Sequence, residues 1–360
     1  FAVTTACGAF LALFGSVGGI AAASLAWAAV PVAAALAAYR LGWWLPLVAP
    51  EVGVGLTVLL VLASRYAVEG RQKRQIKAAF SQYLSPVVIE ELLRHPELLR
   101  LGGERRVLSI FFSDLQGFTS LSEKMEPEAL TAFLNFYLSA MTEIIQDEGG
   151  TVDKYEGDAI IAFWNAPLEA PDHALRAVRA ALRCQAELAR LSPDFKRWTD
   201  AEIRMRIGLN TGPAIVGNMG SRTRFDYTML GDAVNLAARL EGVNKQFGTA
   251  ILISEATKGA LAGAVVTREV ARATVVGRKQ PVTIYEPVSD EDLERRRDDL
   301  AAFDRALSHY YRGRFPDAAK LFRELSDRDP AARAYLPRAE ALAANPPEAW
   351  EGIWAVTEKG

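Results

Sequence analysis

In FFSDLQGFTSLSE, Phe111 to Glu123, a run of strand formers ends on a carboxylate, turns at a glycine and opens a helix. The strand reads from Val107 to Phe112 and delivers Asp114 at its end. A strand end holds a side chain at a fixed point, and small residues after it let backbone N–H groups turn toward an anion. A carboxylate beside such a turn needs a cation between itself and the anion. Taken alone, Asp114 fits a helix cap equally well. The neighbouring sequence separates the two readings.

Downstream, apolar residues at helical spacing predict a helix from about Pro127 to Asp147, stopped by Gly149-Gly150. TVDKYEGDAIIAFWNAP then reads as a hairpin, with strands Thr151–Tyr155 and Ala159–Trp164 and a turn at Glu156-Gly157. That turn carries Asp158 and can bring it beside the end of the first strand. Two carboxylates there would make a site for two Mg²⁺ ions. A second helix is expected over about 172–191. A strand at 203–210 follows, with a return at 214–217. FDYTML is the next strand and leads into a helix beginning near Asp232. Further strands are expected at 251–254, 265–276 and 281–288. Strands and helices alternate without a strict βαβ repeat, which indicates an α+β domain with an antiparallel sheet and helices on one face.

The chain has 360 residues, with 41 Lys and Arg against 43 Asp and Glu. That length suits two or three domains, and the near-neutral charge gives no sign of a nucleic-acid partner. Cys7 and Cys184 support neither a disulfide framework nor a zinc site. His95, His173 and His309 are scattered, without a second ligand at metal-binding spacing.

Residues 1–39 carry no charged side chain. They read as a hairpin of two spans, roughly 2–19 and 22–39, turning near Gly18-Gly19. Trp43 and Trp44 suit a headgroup belt, and a third span is expected over about 52–63. Arg65, Arg71, Lys73, Arg74 and Lys77 follow. By the positive-inside rule they place the rest of the chain in the cytoplasm, and they suit anionic membrane lipid. The expected organisation is a membrane region at 1–68, a helical connector at 69–104, the α+β domain at 105–289 and a helical tail at 290–360. Phe303, Leu307, Tyr310 and Tyr311, then Gly313, then Ala318, Leu321, Phe322 and Leu325 resemble one tetratricopeptide helix pair. Too short to stand alone, it is expected to pack on the α+β domain, and it is a candidate surface for a protein partner.

FFSDLQGFT, DKYEGDAIIAFW, MRIGLNTGPAIVG, YTMLGDAVNLAARLE and, more loosely, VVGRKQPVTIYEPV occur in the order found in class III nucleotidyl cyclase catalytic domains, which the region from about Val107 to Val288 resembles. The spans, the FSQYLSP connector and the tail resemble bacterial cyclases that carry an extracellular CHASE2 sensor before the spans; that sensor is not in this sequence. The resemblance implies a palm-type, ferredoxin-like sheet with helices. It implies ATP as substrate, two Mg²⁺ or Mn²⁺ ions per site, and a head-to-tail homodimer whose active sites are shared between chains. Asp114, the Leu115 carbonyl and Asp158 match the metal-binding positions. Gly117, Phe118 and Thr119 match the phosphate-cradling turn, and Arg206 a triphosphate-binding arginine. Lys154 and Thr228 match the base-reading positions; lysine suits adenine N1, and threonine marks the IIIb subgroup. Asn235 and Arg239 match the residues that orient the ribose and stabilise the transition state. Where the family usually has one lysine for the terminal phosphates, this chain has Arg278 followed by Lys279, and either could serve. The implied activity is a membrane-bound adenylate cyclase; the alternatives are a non-catalytic nucleotide-binding signalling module and a guanylate cyclase.

Overall fold

The structure is a computed structural model and describes residues 17–46, 48–61, 63, 102–221, 225–274 and 280–355. The chain forms two compact units, Phe1–Phe80 and Ser81–Gly360. In the first, helix α1 spans Val17–Arg40 and α2 spans 48–61. The turn expected at Gly18-Gly19 is absent, and α1 runs through both glycines. Alanine, the strongest helix former, fills the turns that follow and outweighs two glycines at the helix start. Among the described residues no helix is long and apolar enough to cross a membrane. Most of the expected first span, 2–16, and nearly all of the connector lie outside the described residues.

In the second unit β1 (Gly102–Leu115) is followed by α3 (Phe118–Ser122), α4 (Pro127–Asp147), β2 (Thr151–Glu156) and β3 (Ala159–Trp164). Then come α5 (His173–Arg190), α6 (Ser192–Phe195), β4 (Met205–Gly220), β5 (Phe225–Leu230) and α7 (Asp232–Phe247). The series continues with β6 (Ile251–Ser254), α8 (Glu255–Ala260), β7 (Thr267–Thr274) and β8 (Val282–Pro287). Helices α9 (Asp290–Tyr311), α10 (Phe315–Leu325) and α11 (Pro330–Ala344) and a short β9 (Ile353–Ala355) complete it.

The strand order is β2-β3-β1-β4-β6-β8-β7-β9, and β5 pairs with the second half of β4. The sheet is mixed rather than purely antiparallel, because β4–β6 and β7–β9 are parallel pairs. The return expected at 214–217 does not form: β4 continues through Gly212-Pro213, and β5 makes the return instead. The 14-residue β1 gives β4 a ladder partner from Met205 to Asn218. That continuous partner overrides the local turn preference of Gly-Pro.

Both faces of the sheet are covered, which corrects the one-face expectation. On one side Phe111 and Leu115 join α4 and α5 residues such as Phe133, Tyr137, Met141, Ala177 and Cys184 in one core. On the other side Leu108 and Ile110 pack with Ala233 and Ala237 of α7. The alternation along β1 follows from the two-residue strand period. Helix α7 lies so close to β4 that a Cβ on Gly208 would sit 2.2 Å from the Glu241 backbone nitrogen. No other residue fits at Gly208 without moving the helix.

The outer face of α7 is covered by the tail. Leu236, Leu240, Val243 and Phe247 share a core with Phe303, Leu307, Tyr310, Phe322 and Tyr335. Strand β9 adds the tail to the sheet edge beside β7. The tail therefore packs on the α+β domain, as its short length predicts.

Candidate active site

Asp114 stands at the end of β1, opposite Arg206 on β4. The Arg206 guanidinium meets it at 2.5 Å. Asp158 occupies the two-residue loop that joins Glu156 of β2 to Ala159 of β3. Gly157 takes φ 67 as the first loop residue, a left-handed conformation that glycine adopts without steric cost. The loop turns Asp158 inward, where its Oδ2 accepts a 2.8 Å hydrogen bond from the Leu115 backbone N–H. Leu115 is thereby tied to both acids. The structure brings the two carboxylates together, as the sequence predicts.

Burial, with the Asp114 carboxylate beside it, pushes Asp158 up to about 6, against the pull of the Leu115 N–H. Like charges held together in a partly dry site are unfavourable without a cation. Among the described residues no group of three or more His, Cys, Asp and Glu side chains is arranged to hold a metal ion. Two carboxylates with room for substrate oxygens is the donor set that Mg²⁺ prefers. The residues present thus fit a divalent cation.

Glu241, which sequence reasoning missed, completes this group. It lies on α7 with its Oε1 3.0 Å from Arg206 Nε. Burial pushes it up to about 7; Arg206 lowers it, while Asp114 and Asp158 raise it. The signal was present in the sequence. Ala237, Glu241 and Asn244 recur at i, i+4 and i+7, so an acid falls on the face that packs on the sheet.

Gly117 takes φ 76 and leads into α3, with Phe118 half-buried and Thr119 exposed. Asn235 is exposed on α7, and Arg239, one turn later, has a buried Nη1 without a hydrogen-bond partner. Lys154 lies on β2 and Thr228 on β5. The Thr228 hydroxyl donates to Asp153 Oδ2 at 2.8 Å, and Lys154 Nζ stands 3.7 Å from Asp153 Oδ1. Burial raises the Asp153 carboxyl, while the Thr228 hydrogen bond and the Lys154 charge lower it. Two groups result: Asp114, Asp158, Arg206 and Glu241 in one, and Asp153, Lys154 and Thr228 in the other. Arg278 and Lys279 lie outside the described residues.

The chain belongs to the adenylate and guanylate cyclase catalytic domain family, whose model matches residues 104–286. Adenylate cyclase 1 of Rhizobium meliloti is 36% identical over 205 residues, covering 56% of this chain and 31% of that protein. The adenylate cyclase of Anabaena cylindrica is 38% identical over 158 residues, 43% of this chain and 30% of that one. The crystal structure of the adenylyl cyclase CyaB from P. aeruginosa superposes with a TM-score of 0.50 at 38% identity, over 54% of this chain and 100% of that one. The chain spans about a third of the length of these two curated relatives.

Proposed function

We propose that this chain is an adenylate cyclase, converting ATP to 3′,5′-cyclic AMP and pyrophosphate at sites shared between two copies. The observation that carries this reading is the paired Asp114 and Asp158, one buried and held by the Leu115 N–H, with Arg206 alongside. Asp114, Asp158 and the Leu115 carbonyl would hold two Mg²⁺ or Mn²⁺ ions. Such ions supply Lewis acidity that lowers the pKa of the ribose 3′-hydroxyl and neutralises triphosphate charge. Arg206 and the turn Gly117-Phe118-Thr119 bind the triphosphate, with Arg278 or Lys279 at its end. Lys154 donates to adenine N1, and Thr228 accepts from the 6-amino group. Asn235 orients the ribose. The unpaired buried Nη1 of Arg239 is a donor that finds its acceptor when charge develops on the α-phosphate.

Arg239→Ala is therefore expected to lower kcat by about 10²–10³-fold with a much smaller change in KM. Steady-state rates with Mg-ATP check this, and a change confined to KM would contradict it.

Metal binding requires Asp158 as carboxylate, so affinity is expected to fall about tenfold per pH unit below about 6 and to level off near 7. Free Mn²⁺ counted by electron paramagnetic resonance, without nucleotide, measures this directly.

The function itself is tested by incubating pure protein with Mg-ATP and, in parallel, Mg-GTP, and resolving the cyclic products. ATP is expected to be the preferred substrate. The shared site is tested by mixing Asp114→Ala and Asn235→Ala chains, each inactive alone. Heterodimers should regain activity, because one of their two sites keeps every residue. Heterodimers without activity would leave each site within a single chain.

The catalytic domain's place on the cytoplasmic side of a membrane is a proposal from sequence: charge-free residues 1–39, then the basic cluster from Arg65 to Lys77. Carbonate extraction tests the membrane anchor, and protease protection in sealed inside-out and right-side-out vesicles tests the side.

A further inference from the structure

We infer that Asp153 is a specificity-positioning residue that makes the Thr228 hydroxyl a one-way acceptor and so selects a 6-amino purine over a 6-oxo purine. This deepens the adenylate cyclase reading and rests on it.

Strand β2 should present successive side chains to opposite faces. The ladder with β3 breaks that rule: Val152 opposes Ala162 and Lys154 opposes Ile161, which leaves Asp153 as the extra residue of a bulge. Bulges re-aim a side chain, and they concentrate beside functional sites. Here the bulge sinks Asp153 until only 4% of its surface is exposed. Such burial of an acid is costly without partners. Its two oxygens face the two positions assigned to base reading. Oδ2 accepts from Thr228 Oγ1 at 2.8 Å. Oδ1 is buried without a hydrogen bond, 3.7 Å from Lys154 Nζ.

A free threonine hydroxyl can donate or accept, and turns to suit its partner. It would serve an amino group and a carbonyl equally. A carboxylate can only accept, so the hydroxyl beside Asp153 has committed its one proton. What Thr228 offers a base is then lone pairs alone. The 6-amino group of adenine donates to them. The 6-oxo group of guanine meets them acceptor to acceptor, which is discrimination by an opposed pair rather than by an added contact. The same carboxylate draws the Lys154 ammonium toward the hydroxyl, so that the donor for N1 and the acceptor for the 6-position stand side by side.

Asp153→Asn keeps the volume but offers an amide that can donate, which frees the hydroxyl to turn. The ratio of kcat/KM for ATP to that for GTP is expected to fall at least about tenfold, because a site that hydrogen-bonds a substrate polar group rejects the mismatched one strongly. In a Thr228→Val background, Asp153→Asn should leave that ratio unchanged. A role in folding alone would lower both rates together and spare the ratio. An unchanged ratio in folded Asp153→Asn overturns the inference, and so does an equal effect with and without Thr228. If the variant does not fold, the unmutated protein is compared on ATP and purine riboside triphosphate, which lacks only the 6-amino group. A tenfold or larger loss supports the assigned acceptor, and equal use overturns it. No cyclic product from either ATP or GTP in the unmutated dimer would sink the cyclase reading itself, an outcome distinct from an active enzyme with an unmoved ratio.

Discussion

Asp158→Asn is expected to abolish cyclisation while making the metal-free protein more stable. Loss of one metal carboxylate should lower kcat/KM by about 10³-fold or more, since Lewis-acid activation and triphosphate binding both depend on it. Stability moves the other way. The folded-state carboxyl sits at about 6 against the ordinary aspartate value of 3.8. The ionised form is therefore the less favourable one in the fold. The penalty is absent below about pH 4, grows between about 4 and 6, and is constant above that, where it amounts to on the order of 1–3 kcal/mol. Asparagine removes the charge and retains an oxygen for the Leu115 N–H. Calorimetric melting without divalent ions should show the variant melting several degrees higher at pH 7.5 and indistinguishably at pH 4. Saturating Mn²⁺ should narrow or reverse the gap, because only the unmutated protein gains binding free energy. A variant that melts lower at pH 7.5 without metal would show that Asp158 is held for structure and not for a cation.

What the sequence disclosed, and what it hid, divides along physical lines. Elements whose pattern is local were readable: the strand ending at Asp114, the hairpin turning at Gly157, and helix α7 starting at Asp232. Their periodicity and turn residues carry the signal. The unbroken β4 was not readable, because Gly212-Pro213 looks like a turn until β1 is known to run beside it. The parallel joins of β6 and β9 depend on which strands become neighbours, and no short window holds that information. The site follows the same rule. Asp114, Asp158 and Arg206 stand in recognisable motifs, and the fold brings them together. Asp153 looked like an ordinary strand residue, since alternation predicts neither its bulge nor its burial. Glu241 was visible only as an acid on a helix face otherwise suited to packing.

The tail should prove inseparable from the catalytic fold, and Asp329→Ala is the sharpest probe of this. Arg268 on β7 is almost fully buried and is held by Glu286 at 2.5 Å and by Asp329, which also caps α11 through the Ala331 N–H. Arg268 keeps Glu286 as counter-charge, but Asp329→Ala leaves its Nη1 and Nη2 without their buried acceptor, and a lost hydrogen bond to a charged group costs about 1.5–3 kcal/mol. The lost cap adds about 1 kcal/mol. Against a typical total of 5–15 kcal/mol, the variant should melt on the order of 10 °C lower or fail to accumulate. Ending the chain at residue 289 should be worse. Leu236, Leu240, Val243 and Phe247 of α7 are 4%, 0%, 3% and 0% exposed beneath the tail. They also touch a core that includes Leu252, Val270 and Ile284 of the sheet, so losing the tail exposes only part of each, roughly half of the about 6–12 kcal/mol that full exposure would forfeit, still a large share of a domain's stability. The same helix carries Asn235 and Arg239, so what anchors its outer face also fixes the groups proposed to meet the ribose and the α-phosphate. Nucleotide turnover should consequently fall with the first loss of tail contacts, before the sheet unfolds. A chain ending at 289 that melts cooperatively at the full-length temperature, or Asp329→Ala within 2 °C of the unmutated protein, would make the tail a separate module and leave α7 held by the sheet alone.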